Sequence, residues 1–138
     1  MSKFPNRLLG LVLGVVYMVV GIFGFFLTSD TGFAATIGPK ILDLFETNPL
    51  HNLVHLVIGI ALFVAALVGT QPARLFNTTF GALFLLVGVV GVLLASAPNP
   101  LNILAINGAD NVLNFATAVV LLCVGLGADR PAPGVRTA

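Results

Sequence analysis

The sequence predicts an all-α integral membrane protein of four transmembrane helices, arranged as two parallel-repeat hairpins with both termini on the inner side. Three observations carry that expectation. First, 8% of the 138 residues are charged and 58% are hydrophobic, with a mean hydropathy of +1.09, whereas an ordinary soluble domain carries roughly 25% charged residues. Second, every Lys, Arg, Asp and Glu lies outside four apolar stretches at 8–27, 50–69, 80–96 and 111–128. At about 1.5 Å per residue, a helix of roughly 20 residues crosses a hydrocarbon core of about 30 Å. Third, the two halves of the chain can be laid over one another. The whole is expected to form a single domain over residues 1–128 with a flexible cytoplasmic tail at 129–138.

The first stretch follows Lys3 and Arg7 and precedes Ala34 and Ala35, as a secretory leader does. It is longer than the roughly 7–15-residue apolar core of a leader, so it reads as a retained helix. At about 100° per residue, Gly10, Gly14, Tyr17, Gly21 and Gly24 share one narrow face. Gly10 and Gly14 make a small-xxx-small contact, which lets helix backbones approach where lipid gives no hydrophobic drive. The connection at 28–49 has Gly32, Gly38 and Pro39 early and an apolar Ile41, Leu42, Leu44, Phe45 run late, expected to be a short amphipathic element at the outer interface. Asn48 is suited to cap the second helix and Pro49 to occupy its first turn, where a missing N–H costs nothing. Pro72 marks a tight turn over 70–79. The third stretch carries a second small-residue stripe, Gly81, Phe84, Gly88 and Gly91. Pro98, Pro100 and Gly108 mark the return loop, and Asn107 or Asp110 caps the fourth helix.

Orientation follows from the basic residues. With four spans, Lys3, Arg7, Arg74, Arg130 and Arg136 share one side, and Lys40 alone stands on the other with Asp30, Asp43, Glu46 and Asp110. Both termini are therefore expected in the cytoplasm.

The repeat has two offsets. Gly14, Tyr17, Gly21 and Gly24 fall on Gly81, Phe84, Gly88 and Gly91 at 67 positions. Asn48, His51, Asn52 and His55 meet Asn107, Asp110, Asn111 and Asn114 at 59 positions. Two polar helix starts thus lie at one depth near the outer side. The favoured reading is a structural seam in which His51, Asn52 and His55 hydrogen-bond to Asp110, Asn111, Asn114 and loop carbonyls, because polar groups inside a membrane need partners. The alternative is a metal-binding or small-solute- or proton-handling site on His51, His55 and Asp110, since histidines four apart on a helix share a face. Haem ligation is disfavoured, as two histidines on one face cannot approach a ring from opposite sides.

With Asn48, Pro49, His51, Asn52, His55 and Gly59 in the first motif and Asn107, Asp110, Asn111 and Asn114 in the second, the chain resembles small bacterial four-helix membrane proteins of domain-of-unknown-function family 4383. The resemblance covers residues 7–128. It implies the fold, a bacterial plasma membrane location and the importance of the polar motif. The family has His where this sequence has Asn114, a departure that weakens any haem or metal role carried over.

The function classes narrow accordingly. A net charge of +1 offers no field for nucleic acid. A lone cysteine, Cys123, closes no internal disulfide, and it sits among apolar neighbours with no base nearby. No carboxylate lies in mid-span, where a proton-coupled exporter needs one. The expectation is a non-catalytic membrane module without a cofactor, an accessory or assembly subunit or a homo-oligomer, whose partners are the lipid bilayer and other membrane proteins or itself.

Overall fold

The computed structural model describes residues 4–95 and 99–129. Four helices dominate it: α1 (Pro5–Leu27), α2 (Pro49–Val68), α3 (Thr70–Leu94) and α4 (Gly108–Gly127), each long and apolar enough to cross a membrane. Strands β1 (Lys40–Ile41) and β2 (Phe45–Glu46) pair antiparallel between α1 and α2, with Lys40 opposite Glu46. Burial runs opposite to that of a water-soluble domain. Asn6, Asn48, Asn52 and Asn77 are fully buried, while Val12, Val19, Phe26, Leu86, Leu93 and Val119 are exposed. Large apolar side chains outside and amides inside are what a lipid solvent selects, and the chain is built as a multi-pass membrane protein.

The helices pack chiefly as two pairs, α1 on α2 and α3 on α4. Glycine sets the distance in the first pair. A Cβ on Gly14 would stand 2.9 Å from the Gly59 carbonyl oxygen, and one on Gly59 would stand 2.8 Å from that of Gly14. Backbone therefore meets backbone. Gly21 lies similarly against the backbone of Asn52 and Leu56, and Gly24 against the Asn52 side chain. In the second pair Gly81 faces Leu122, Gly88 faces the Phe115 ring and Gly91 faces the Asn111 amide. Tyr17, Leu62, Phe84, Ala118 and Leu121 close the core between the pairs.

These contacts follow the offsets of the sequence. The bounds of α2, moved by 59 positions, are the bounds of α4, and the end of α1, moved by 67, is the end of α3. Arg7 Nε donates to the Ala66 carbonyl at 2.9 Å, and Arg74 Nε donates to the Gly125 carbonyl at 2.9 Å. In each pair an arginine from one helix thus satisfies a carbonyl in the last turn of the other, where no intrahelical donor remains.

Two expectations need correction. The stretch 70–79, expected as a turn, is helical: α3 starts at Thr70, directly after Gly69. Pro72 falls in the first turn, where its ring displaces no hydrogen bond. At 25 residues, α3 is about 37 Å long and outreaches the hydrocarbon core, so the polar segment from Thr70 to Thr79 extends the helix toward one membrane interface. The apolar run at 41–45, expected as a short amphipathic element, takes the form of a hairpin, with Leu42 and Asp43 at φ of 54° and 56° at its tip. Asp129, assigned to the flexible tail, is fastened: its Oδ2 accepts from Asn6 N at 3.0 Å and Asn6 Nδ2 at 2.9 Å. The rest of that tail, 130–138, and the expected end of the third span at 96 lie outside the described residues.

Candidate functional site

The N-terminal ends of α2 and α4 are built alike. Asn48 Oδ1 accepts from His51 N at 2.8 Å, closing the first turn of α2. Its Nδ2 donates to Ala35 O and Ile103 O, both at 2.7 Å, so one amide fastens the loops that precede α2 and α4. Asn107 Oδ1 accepts from Asp110 N at 3.0 Å, and Asp110 Oδ2 accepts from Asn107 N at 2.9 Å, a reciprocal capping box at the start of α4. Asn107 Nδ2 reaches Leu44 O in the hairpin at 2.8 Å. In the loop before α4, Asn102 exchanges two hydrogen bonds of 2.9 Å with the Ile106 backbone. The glutamate of the hairpin, Glu46, stands near the Asp110 carboxylate.

Beneath this cap lie the two histidines. Their ring centroids are 4.4 Å apart, and the His55 ring is 5.2 Å from that of Tyr17, which stacks at 5.3 Å on Phe84. The Tyr17 hydroxyl and Thr117 Oγ1 share a hydrogen bond of 2.9 Å. His51, His55 and Asn114 line one cavity of about 40 Å³ whose other walls include Ile58, Phe84, Val87 and Leu104. Nδ1 of both histidines is buried with no hydrogen-bond partner. A space of that size takes one or two waters or a single ion, whereas drug-sized ligands need roughly 300–1,000 Å³.

The expected seam divides into layers. His51, His55 and Asn114 converge on the cavity. Asn52 does not: one residue on from His51 it is turned by about 100°, and it faces α1, accepting from Thr47 Oγ1 at 2.7 Å and donating to Thr28 Oγ1 at 3.0 Å. Asn111 likewise faces Gly91 on α3, with its Oδ1 unpartnered. Asp110 is held in the capping box and does not line the cavity, so the set His51, His55, Asp110 is not assembled around it. Among the described residues no three His, Cys, Asp or Glu side chains converge as a metal site. Cys123 is exposed on the lipid side of α4.

A second polar layer at the opposite end escaped the sequence reading. Asn77 Nδ2 donates to Asn6 O and Oδ1, both at 3.0 Å, while Asn6 Nδ2 donates to Val124 O at 3.2 Å. These bonds join α1, α3 and α4. The signal was available: Asn77 stands at Gly10 plus 67, and its Oδ1 lies 3.6 Å from where a Gly10 Cβ would be. A wider cleft of about 370 Å³ at this end is lined by Gln71, Arg74, Thr78 and Asp129 among others. Arg74 and Asp129 are both already committed to backbone and amide partners there.

Residues 7–127 match the family described as Domain of unknown function (DUF4383). No curated protein and no solved structure matches the chain.

Proposed function

The chain belongs to the DUF4383 family, and on that premise we propose that it is a non-catalytic module of the bacterial plasma membrane that works by assembly, with itself or with another membrane protein. The observation that carries this reading is how the polar motif is used. Asn48 and Asn107 cap helices and fasten loops, Asn52 ties α2 to the end of α1, and Asp110 completes a capping box. Residues spent on holding outer loops against helix starts are positioning groups for a surface, not reactants. Lipid-facing helices rich in Val, Leu and Phe give that surface its place in the bilayer.

Arg7 and Arg74, both at the end of the bundle away from the histidines, support the orientation with termini inside, since basic residues favour the cytoplasmic face. Mass measurement from lipid nanodiscs tests the assembly. A complex heavier than one chain, either a closed oligomer or a fixed ratio with a second membrane protein, is expected. A single chain alone at working concentration would overturn the proposal.

A further inference from the structure

The cleft at the end of the bundle away from the histidines carries two opposite charges. It measures about 370 Å³, and Arg74, Asp129, Gln71, Thr78, Leu75 and Leu126 stand in its wall. Arg74 Nε donates to the Gly125 carbonyl at 2.9 Å, and Asp129 Oδ2 accepts from Asn6 N and Nδ2 at 3.0 and 2.9 Å. These partners fix the two side chains without neutralising them, since a carbonyl and an amide carry no net charge. The first half of the chain shows what the arginine alone requires. Arg7 donates to Ala66 O at 2.9 Å as Arg74 does to Gly125 O. Its neighbours differ: at the offset of 67, Gln71 and Thr78 correspond to Phe4 and Leu11, and the Arg7 guanidinium lies 6.0 Å from the centroid of the Phe4 ring. At the offset of 59, Asp129 corresponds to the uncharged Thr70. Closing a helix end therefore needs neither the polar wall nor the carboxylate, and the second half carries both around an open cleft.

We propose that this cleft binds the headgroup of an aminophospholipid, phosphatidylethanolamine, with its phosphate on Arg74, Gln71 and Thr78 and its ammonium on Asp129. The height is right. The cleft runs along residues 70–78 of α3, the part that outreaches the hydrocarbon core, beside the last turn of α4. Guanidinium nitrogens match phosphate oxygens in pairs, and basic pockets between membrane helices suit lipid headgroups. A primary ammonium donates hydrogen bonds to a carboxylate, which the quaternary nitrogen of phosphatidylcholine cannot. Phosphatidylglycerol brings a phosphate and no cation for Asp129. The exposed Leu75 and Leu126 give the apolar wall along which the acyl chains leave.

This inference goes beyond assembly and does not depend on it. The full chain in lipid-free detergent is mixed with the dioleoyl form of each of the three phospholipids at equal concentration, and native mass spectrometry counts the lipid retained per chain. One phosphatidylethanolamine should be held at least about ten-fold more strongly than either of the others. Arg74→Ala should weaken retention at least about ten-fold, and Gln71→Glu, which sets a negative charge beside the phosphate from an exposed position, at least about five-fold. The second variant keeps the test open if the first does not fold. Arg7→Ala removes the corresponding helix-end bond far from the cleft lining and should stay within roughly two-fold. Asp129→Asn keeps an oxygen for Asn6 and should erase the preference over phosphatidylglycerol while phosphate binding persists. Glycerophosphoethanolamine, the same headgroup without acyl chains, should not displace the lipid at about a hundred-fold excess. Equal retention of the three lipids, unchanged retention in Gln71→Glu, a preserved preference in Asp129→Asn, or displacement by glycerophosphoethanolamine overturns the site. Lipid is counted per chain whatever the mass of the assembly, so the two proposals fail separately.

Discussion

At the scale of single residues, Asn52 and Asn111 show how equal positions carry unequal weight. Both are the fourth residue of their helix and both fill space left by a glycine, Gly24 and Gly91. Asn52 is paired with two threonine hydroxyls, Thr28 and Thr47. The positions corresponding to those threonines in the second half are Ala95 and Ile106, and Asn111 Oδ1 is left without a partner. Asn52→Ala should therefore cost about 1–3 kcal/mol, since it removes two buried side-chain hydrogen bonds, although Thr28 Oγ1 keeps its bond to the Gly24 carbonyl. Asn111→Ala should cost clearly less, because its oxygen surrenders no hydrogen bond. Unfolding curves of the two variants in the same detergent decide this, and equal losses would mean that Asn111 has a partner of comparable strength.

At the scale of elements, the α1–α2 pair rests on two facing glycines. Any side chain at Gly14 must displace the Phe63 backbone nitrogen, 2.8 Å from the would-be Cβ, and backbone cannot swing aside as a side-chain tip can. Gly14→Leu should lower stability by about 1–3 kcal/mol. Gly88→Leu should also destabilise, though there the obstacle is the rim of the Phe115 ring at 3.1 Å, which can rotate. Gly69, at the junction of α2 and α3, is the control. Its backbone is extended, and a Cβ would meet only Pro72 Cδ at 3.9 Å, so Gly69→Ala should melt within about 0.5 kcal/mol of the parent. A thermal series of the three variants checks the order, and a lipid-facing stripe would show itself as three parental curves.

For the whole molecule, the structure places the polar cap with the hairpin at one end and Arg7, Arg74 and Asp129 at the other. Which end faces the cytoplasm is tested by labelling intact cells in a Cys123→Ala background. Cysteine at Asp30, in the first outer loop, should react with an impermeant maleimide, and cysteine at Gln71, exposed at the α2–α3 junction, should react only after permeabilisation. The reverse pattern would invert the orientation while leaving the fold untouched.

The sequence by itself determined the four apolar spans, the small-residue stripes and the two caps, because these are properties of one helix at a time. Hydropathy over about 20 residues and a period of 3.6 suffice to find them. Tertiary structure decided what one helix cannot know about its neighbours. His51 and Asn52 are adjacent in sequence, yet the first lines the cavity and the second faces α1, since a rotation of about 100° sends consecutive side chains to different partners. The helical start of α3 was hidden because Pro72 is a breaker in mid-helix and harmless in a first turn, and only the position of Gly69 distinguishes the two. Asp129 looked like tail because its partner, Asn6, lies at the other end of the chain. Pairings of that separation leave no trace in local pattern; they exist only once α1 and α4 stand side by side.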